Sequence, residues 1–357
     1  MRKTLVFLTA LGLFLTACSG SDAEETTTTS STPSTTTTTE AATTTTTAPT
    51  TTIDDRGTSP LNGLPVDDPK TLERRVLAVK IDNHPNARPQ SGLNEADLVV
   101  EILVEGVTRF LSMWQQSDSD YLGPMRSGRP TDGALLSAMN EPTFSISGAQ
   151  SWVQSLIRGK DVYLTGEVRP ETFRVGFRSA PHNLYVDTNQ LREYADDRGH
   201  PDNPLDGPIW EFGDLPAGGT ELESVQISFS GNSVVWVWDE TEGLWFRTVG
   251  GSESQYRNED GTTAPLGYPV MVALNVQQYS VSPPGGGKGL PSSRTTGSGT
   301  AYVFADGEVI EGTWERETES DWFTLTDSSG NVIPVPPGKI WISLVPGSSG
   351  VTLNPAG

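Results

Sequence analysis

A single cysteine, Cys18, occurs in the 357 residues, which excludes a disulfide, a thiolate metal site or a catalytic thiol from everything downstream of it. Basic residues are scarce as well: 24 Lys and Arg face 45 Asp and Glu, a formal net charge of -21. Nucleic acid and anionic lipid faces both require a basic surface, so neither is expected as a partner. The apolar run at 5–15 falls short of the roughly 20 residues that a bilayer span requires. Only three histidines are present, His84, His182 and His200, and none are spaced four apart as in helical zinc sites. No metal and no cofactor is therefore expected. Ser-x-x-Lys is absent, and Ser91 and Ser127, although carried by tight loops, lie outside the nucleophile-elbow pattern. There is no internal repeat.

What is present begins with a secretory signal. Arg2 and Lys3 supply the positive start, and the apolar run ends in small residues. Leu15-Thr16-Ala17-Cys18 resembles the bacterial lipobox at all four positions, so residues 1–18 are expected as a lipoprotein signal and Cys18 as the lipidated residue, carrying palmitate-type chains. Each buried methylene contributes about 0.8 kcal/mol, so two or more chains anchor where one would not. Residues 19–59 are expected as a tether: Thr fills 18 of the 27 positions 26–52, a composition that cannot bury a core and suits a solvated spacer.

The remaining residues suffice for two domains of ordinary size. Positions 60–209 carry 15 basic and 21 acidic residues, net -6, with all three histidines; positions 210–357 carry 6 and 18, net -12, with none. Apolar runs at 76–81, 98–104 and 108–114 read as buried strands, and 131–139, 152–157 and 188–195 have helical spacing. Beyond a joint at 196–220, the runs 225–229, 233–238, 244–249, 270–276, 301–304 and 340–345 read as strands, with turn signals at Gly243, Gly307 and Gly330. Residues 279–299 read as a long mobile loop. The expected fold is α+β: an N-terminal mixed α/β domain at 60–209 followed by a β-rich, sandwich or barrel-like domain at 210–357. Trp236, Trp238, Trp245, Trp314, Trp322 and Trp341 are expected mainly in its core.

Polar residues gather in the first domain beyond what solvation explains. Asp82, Asn83 and His84 end a strand-like run and lead into a loop with Arg88. Glu101 and Glu105, four apart and so on one strand face, precede Arg109; charges sit in apolar strands only when paired. Two further loops carry Arg126, Ser127 and Arg129, then His182, Asn183 and Tyr185. Adjacent strands would bring these loops to one rim. One reading is structural, with arginines neutralising the glutamates and His84 fixing a turn. The other is functional: Arg126 and Arg129 form a fork for a carboxylate or phosphate, with His84 and His182 as acid, base or donor. His200 falls in the joint and is expected to be solvated.

The motifs at 81–93, 100–110, 123–130 and 180–185, with Asn275-Val276-Gln277, Gly297-Ser298-Gly299, Gly312-Thr313-Trp314 and Pro337-Gly338-Lys339, are similar to those of the YerB-like family of bacterial lipoproteins. The resemblance implies a pair of domains of unknown function and brings no reaction with it. The function expected is that of a membrane-anchored, extracytoplasmic lipoprotein of the cell envelope, with a polar cleft for an anionic or glycan-like cell-wall ligand. The alternatives are an envelope hydrolase pairing His84 or His182 with Glu101 or Glu105, and a scaffold docking another envelope protein through its acidic β domain.

Overall fold

A computed structural model describes residues 57–166, 171–347 and 350–357; the expected signal, Cys18 and the tether up to residue 56 lie outside them. Strands β1 (Leu77–Asp82), β2 (Leu98–Leu103) and β3 (Thr108–Trp114) form where apolar runs predict them and are buried along their whole length. Side chains alternate between the faces of a strand, and these strands divide accordingly. Ala78, Val100, Leu111 and Met113 enter one core, while Leu77, Val79, Val99, Phe110 and Trp114 enter the other. Lys80, Asp82, Glu101 and Arg109 are the ionisable exceptions within these runs, each buried.

Strand β3 pairs antiparallel with β1 and with β2, and β1 continues in parallel to β4 (Thr143–Ser145) and β5 (Tyr163–Thr165). On its other side β2 pairs in parallel with Ile340–Pro346, which in turn pairs in parallel with Val270–Val276. The sheet then runs on through Gly297–Ala305, Glu308–Arg316, Thr220–Phe229, Asn232–Asp239 and Leu244–Val249. The fold is mostly β, one large sheet with few helices, and strands of both expected segments are members of that sheet. Helices α1 (Pro130–Leu136) and α2 (Ser151–Arg158) cover one face, with Leu135, Leu136, Val153 and Ile157 in its core. Helix α3 (Thr188–Asp197), capped by the Asp187 carboxylate, sends Leu191 into the other. Among the described residues no helix is long and apolar enough to cross a membrane.

Three of the family-like motifs meet in one contact. Gly299 pairs opposite Trp314, whose indole Nε1 donates to the Asn275 carbonyl at 2.9 Å. A Cβ on Gly299 would collide with that carbonyl and with the indole, so the close approach requires glycine. Trp236, Trp245, Trp314 and Trp341 are buried, as core packing predicts; Trp238 and Trp322 are half-buried.

Two expectations are corrected. Segment 279–299 is no simple loop: Gln278–Val281 pairs with Leu290–Ser293, and the Pro-Pro-Gly-Gly-Gly run makes the turn, with Gly285 to Gly287 at positive φ. His200 is not merely solvated. Its Nδ1 bonds Thr143 Oγ1 at 3.0 Å and its ring lies against Tyr163. The joint around it is fastened to buried Arg75, which bonds Asp196 at 2.7 Å and, through its backbone N–H, Asp202 at 2.8 Å. Burial, with Arg75 close by, pushes the His200 pKa down from 6.5. The folded state then binds that proton less readily than the unfolded chain. Its contribution is present above pH 6.5 and is lost as pH falls through the depressed value. Denaturant midpoints stepped below pH 6.5 should therefore fall less steeply in His200→Gln than in the parent; equal slopes would contradict this.

Candidate functional site

Strand β1 ends at Asp82 because Pro85 cannot continue it, and His84 caps the short turn that follows, its Nδ1 accepting from the Asn86 N–H at 3.2 Å. The loop at 123–126 is laid along β1. Asp82 N–H donates to the Pro124 carbonyl at 2.8 Å, Arg126 N–H to that of Lys80 at 2.7 Å, and Met125 N–H to that of Leu184 at 2.6 Å. These ladders bring three loops that are far apart in sequence to the end of one strand. The Asp82 side chain is 2% exposed. Its Oδ1 accepts from the His84 backbone at 3.0 Å, while Oδ2 takes His182 Nδ1 at 2.7 Å and lies 3.4 Å from Arg126 Nε. The His84 and His182 rings stack with centroids 4.6 Å apart.

These bonds assign the tautomers of the neutral rings. A carboxylate only accepts, so His182 carries its proton on Nδ1 and its Nε2 is a lone pair; His84 Nδ1 accepts a backbone proton, so its Nε2 bears the hydrogen. The His182 side chain is 13% exposed and that of Arg126 23%. Among the described residues neither Nε2 nor the outer amines of Arg126 make a hydrogen bond, and none of these atoms is sealed from solvent.

The other expected residues form separate groups. Asn83 donates to Thr108 Oγ1 at 2.7 Å and accepts from Arg88 Nε at 2.9 Å; Thr108 donates to Glu101 Oε1 at 2.6 Å, which also accepts from Arg247 Nη2 at 2.8 Å. Glu101 is fully buried and Arg247 nearly so, with its guanidinium against the rings of Phe110 and Trp341. This network borders a pocket of about 300 Å³ that is also lined by Phe229 and by residues 231–234. Burial, with Arg247 close by, pushes the Arg88 guanidinium down.

Glu105 lies beyond the end of β2, in a turn, and does not share the face of Glu101. It holds Arg129 through two contacts, 3.0 and 2.9 Å. Burial pushes the Glu105 carboxyl up, but the Arg129 bonds outweigh it and hold the group below the usual carboxylate range. Arg129 is thus spent and makes no fork with Arg126. Arg109 donates to the Ser127 carbonyl at 2.8 Å; burial, with Arg129 nearby, brings its pKa to about 10. Asn183 bonds Arg174 at 2.8 Å. Tyr185 is buried among Tyr121, Phe173 and Phe177, and burial pushes its phenol up. Among the described residues no group of three His, Cys, Asp or Glu side chains is placed to hold a metal ion.

Residues 61–201 match the family described as Protein of unknown function (DUF3048) N-terminal domain, and residues 225–342 match its C-terminal domain. The chain belongs to this two-domain family. It is 28% identical over 308 residues to a Bacillus subtilis strain 168 protein named "Putative lipoprotein YerB", covering 81% of this chain and 86% of that one. It is also similar to the crystal structure of YerB from Bacillus subtilis, with a TM-score of 0.71 and 25% identity over 83% of this chain and 99% of that chain.

Sequence reasoning missed Thr108, Arg247 and the buried Lys80–Asp132 pair, 2.6 Å apart. Burial pushes the Lys80 ammonium down, against the pull of Asp132. Lys80 and Arg247 both interrupt apolar strands, the same signal that singled out Glu101, so matching such charges across the chain would have found the partner. Arg247→Met strands a buried carboxylate, which costs about 3–5 kcal/mol. Denaturation should show that loss, and Glu101→Gln added to Arg247→Met should recover much of it; a loss below about 1 kcal/mol, as for exposed pairs, would contradict the pairing.

Proposed function

We propose that this protein is a cell-envelope lipoprotein, held at the outer face of the membrane through acylated Cys18, whose Asp82 cluster binds an anionic group on a cell-wall glycan or small molecule. The lipobox-like sequence and the name of the Bacillus subtilis relative support the anchor. The binding reading rests on one observation: a single carboxylate oxygen, Asp82 Oδ2, contacts both His182 and Arg126 and leaves their outer nitrogens unengaged among the described residues. The His84 Nε2–H and the Arg126 guanidinium offer donors suited to phosphate or carboxylate oxygens. Of the two arginines of the 123–130 loop, only Arg126 has its terminal amines unengaged, since Arg129 is occupied by Glu105.

Inorganic phosphate should therefore protect the protein against heat, and the protection should fall about tenfold or more in apparent affinity in Arg126→Ala, since a hydrogen bond to a charged group is worth about 1.5–3 kcal/mol. Arg129→Ala should leave phosphate affinity nearly unchanged. Protection that survives Arg126→Ala, or that is lost equally in Arg129→Ala, would overturn the assignment.

A further inference from the structure

Resting on that anion site, we infer that the same cluster hydrolyses phosphoanhydride bonds, with His182 as the catalytic base. The Asp82–His182 contact at 2.7 Å fixes the ring with its Nε2 lone pair outward, the arrangement a base needs to take a proton from water. Asp82 is a positioning residue: it is shut away from solvent and acts through the imidazole. Arg126 lies beside that ring because both touch the same oxygen. His84, stacked on His182, presents an Nε2–H as a neutral donor.

The surroundings select the reaction. Acyl transfer develops an oxyanion best held by spare backbone N–H groups. Here those of Asp82, His84, Met125 and Arg126 are all engaged within the protein. Glycoside hydrolysis needs two free carboxyl groups flanking the bond, whereas Glu101 is sealed against Arg247 and Glu105 is bound to Arg129. Phosphoryl transfer asks mainly for positioning and for donors to oxygens that carry charge throughout, which Arg126 and His84 supply. His84 as a neutral donor cannot give up its proton to a departing alkoxide. The leaving group must then depart as a stable anion, which a phosphate does and an alcohol does not.

In the step, His182 Nε2 takes one proton from water as the water oxygen bonds to phosphorus. The bridging P–O bond breaks with its electron pair on the departing phosphate, and His182 afterwards releases the proton to solvent. Inorganic pyrophosphate and glycerol 2-phosphate are the probes for the full chain, with inorganic phosphate binding measured separately by calorimetry. Pyrophosphate should turn over, and glycerol 2-phosphate at least about a hundredfold more slowly. His182→Gln should lower kcat by about 10²–10⁴, and Asp82→Asn should lower kcat with KM nearly unchanged, while both variants keep the parent circular dichroism. Phosphate binding without pyrophosphate turnover, or turnover that survives His182→Gln, would overturn this inference and leave the binding reading standing. Absence of phosphate binding in the parent would remove both.

Discussion

A carboxylate withdrawn from water must be matched by charges and donors inside the protein, and Asp82 sits under that constraint at the end of a fully buried strand. It is met by the backbone of the next loop, by one imidazole and by one guanidinium, each delivered by a different segment of the chain. Because Asp82 bonds the inner nitrogen of His182 and faces that of Arg126, the outer nitrogens of both are left open to solvent. Structural need and the proposed anion site thus rest on the same contacts.

The second charged group shows how the halves of the sequence depend on each other. Glu101 lies in β2, and its partner Arg247 lies in a strand of the later segment. Ile340–Pro346 runs between Val270–Val276 and β2, so residues from near the C-terminus complete the sheet begun at residue 77. Removing either partner leaves a buried charge without a match, and this network reads as structure. The unpartnered Glu101 oxygen is closed to solvent.

The strands and helices with dense apolar periodicity were legible in the sequence: β1 to β3, α1 to α3 and six runs of the later segment. Glu308–Arg316 was not, since its Glu, Gly and Thr residues dilute the pattern of a half-exposed strand. The hairpin within 278–293 was hidden by its proline and glycine content, which marks a turn without telling a short one from a long loop. At the site, the gathering of Asp82, His84, Arg126 and His182 was legible because polar residues crowded loops between apolar runs. The partition was not. Whether an arginine is free or spent depends on which carboxylate lies within reach, and that follows from where β2 stops: at Leu103, which sends Glu105 toward Arg129 instead of onto the face of Glu101.

The central claim is that Asp82 fixes His182 with its proton on Nδ1. Nitrogen-15 NMR of the neutral imidazole tests it most directly, because protonated and lone-pair ring nitrogens resonate far apart. In the parent protein the His182 signal should be that of an Nδ1–H tautomer, and Asp82→Asn should disturb it. A parent spectrum with the proton on Nε2 would contradict the account.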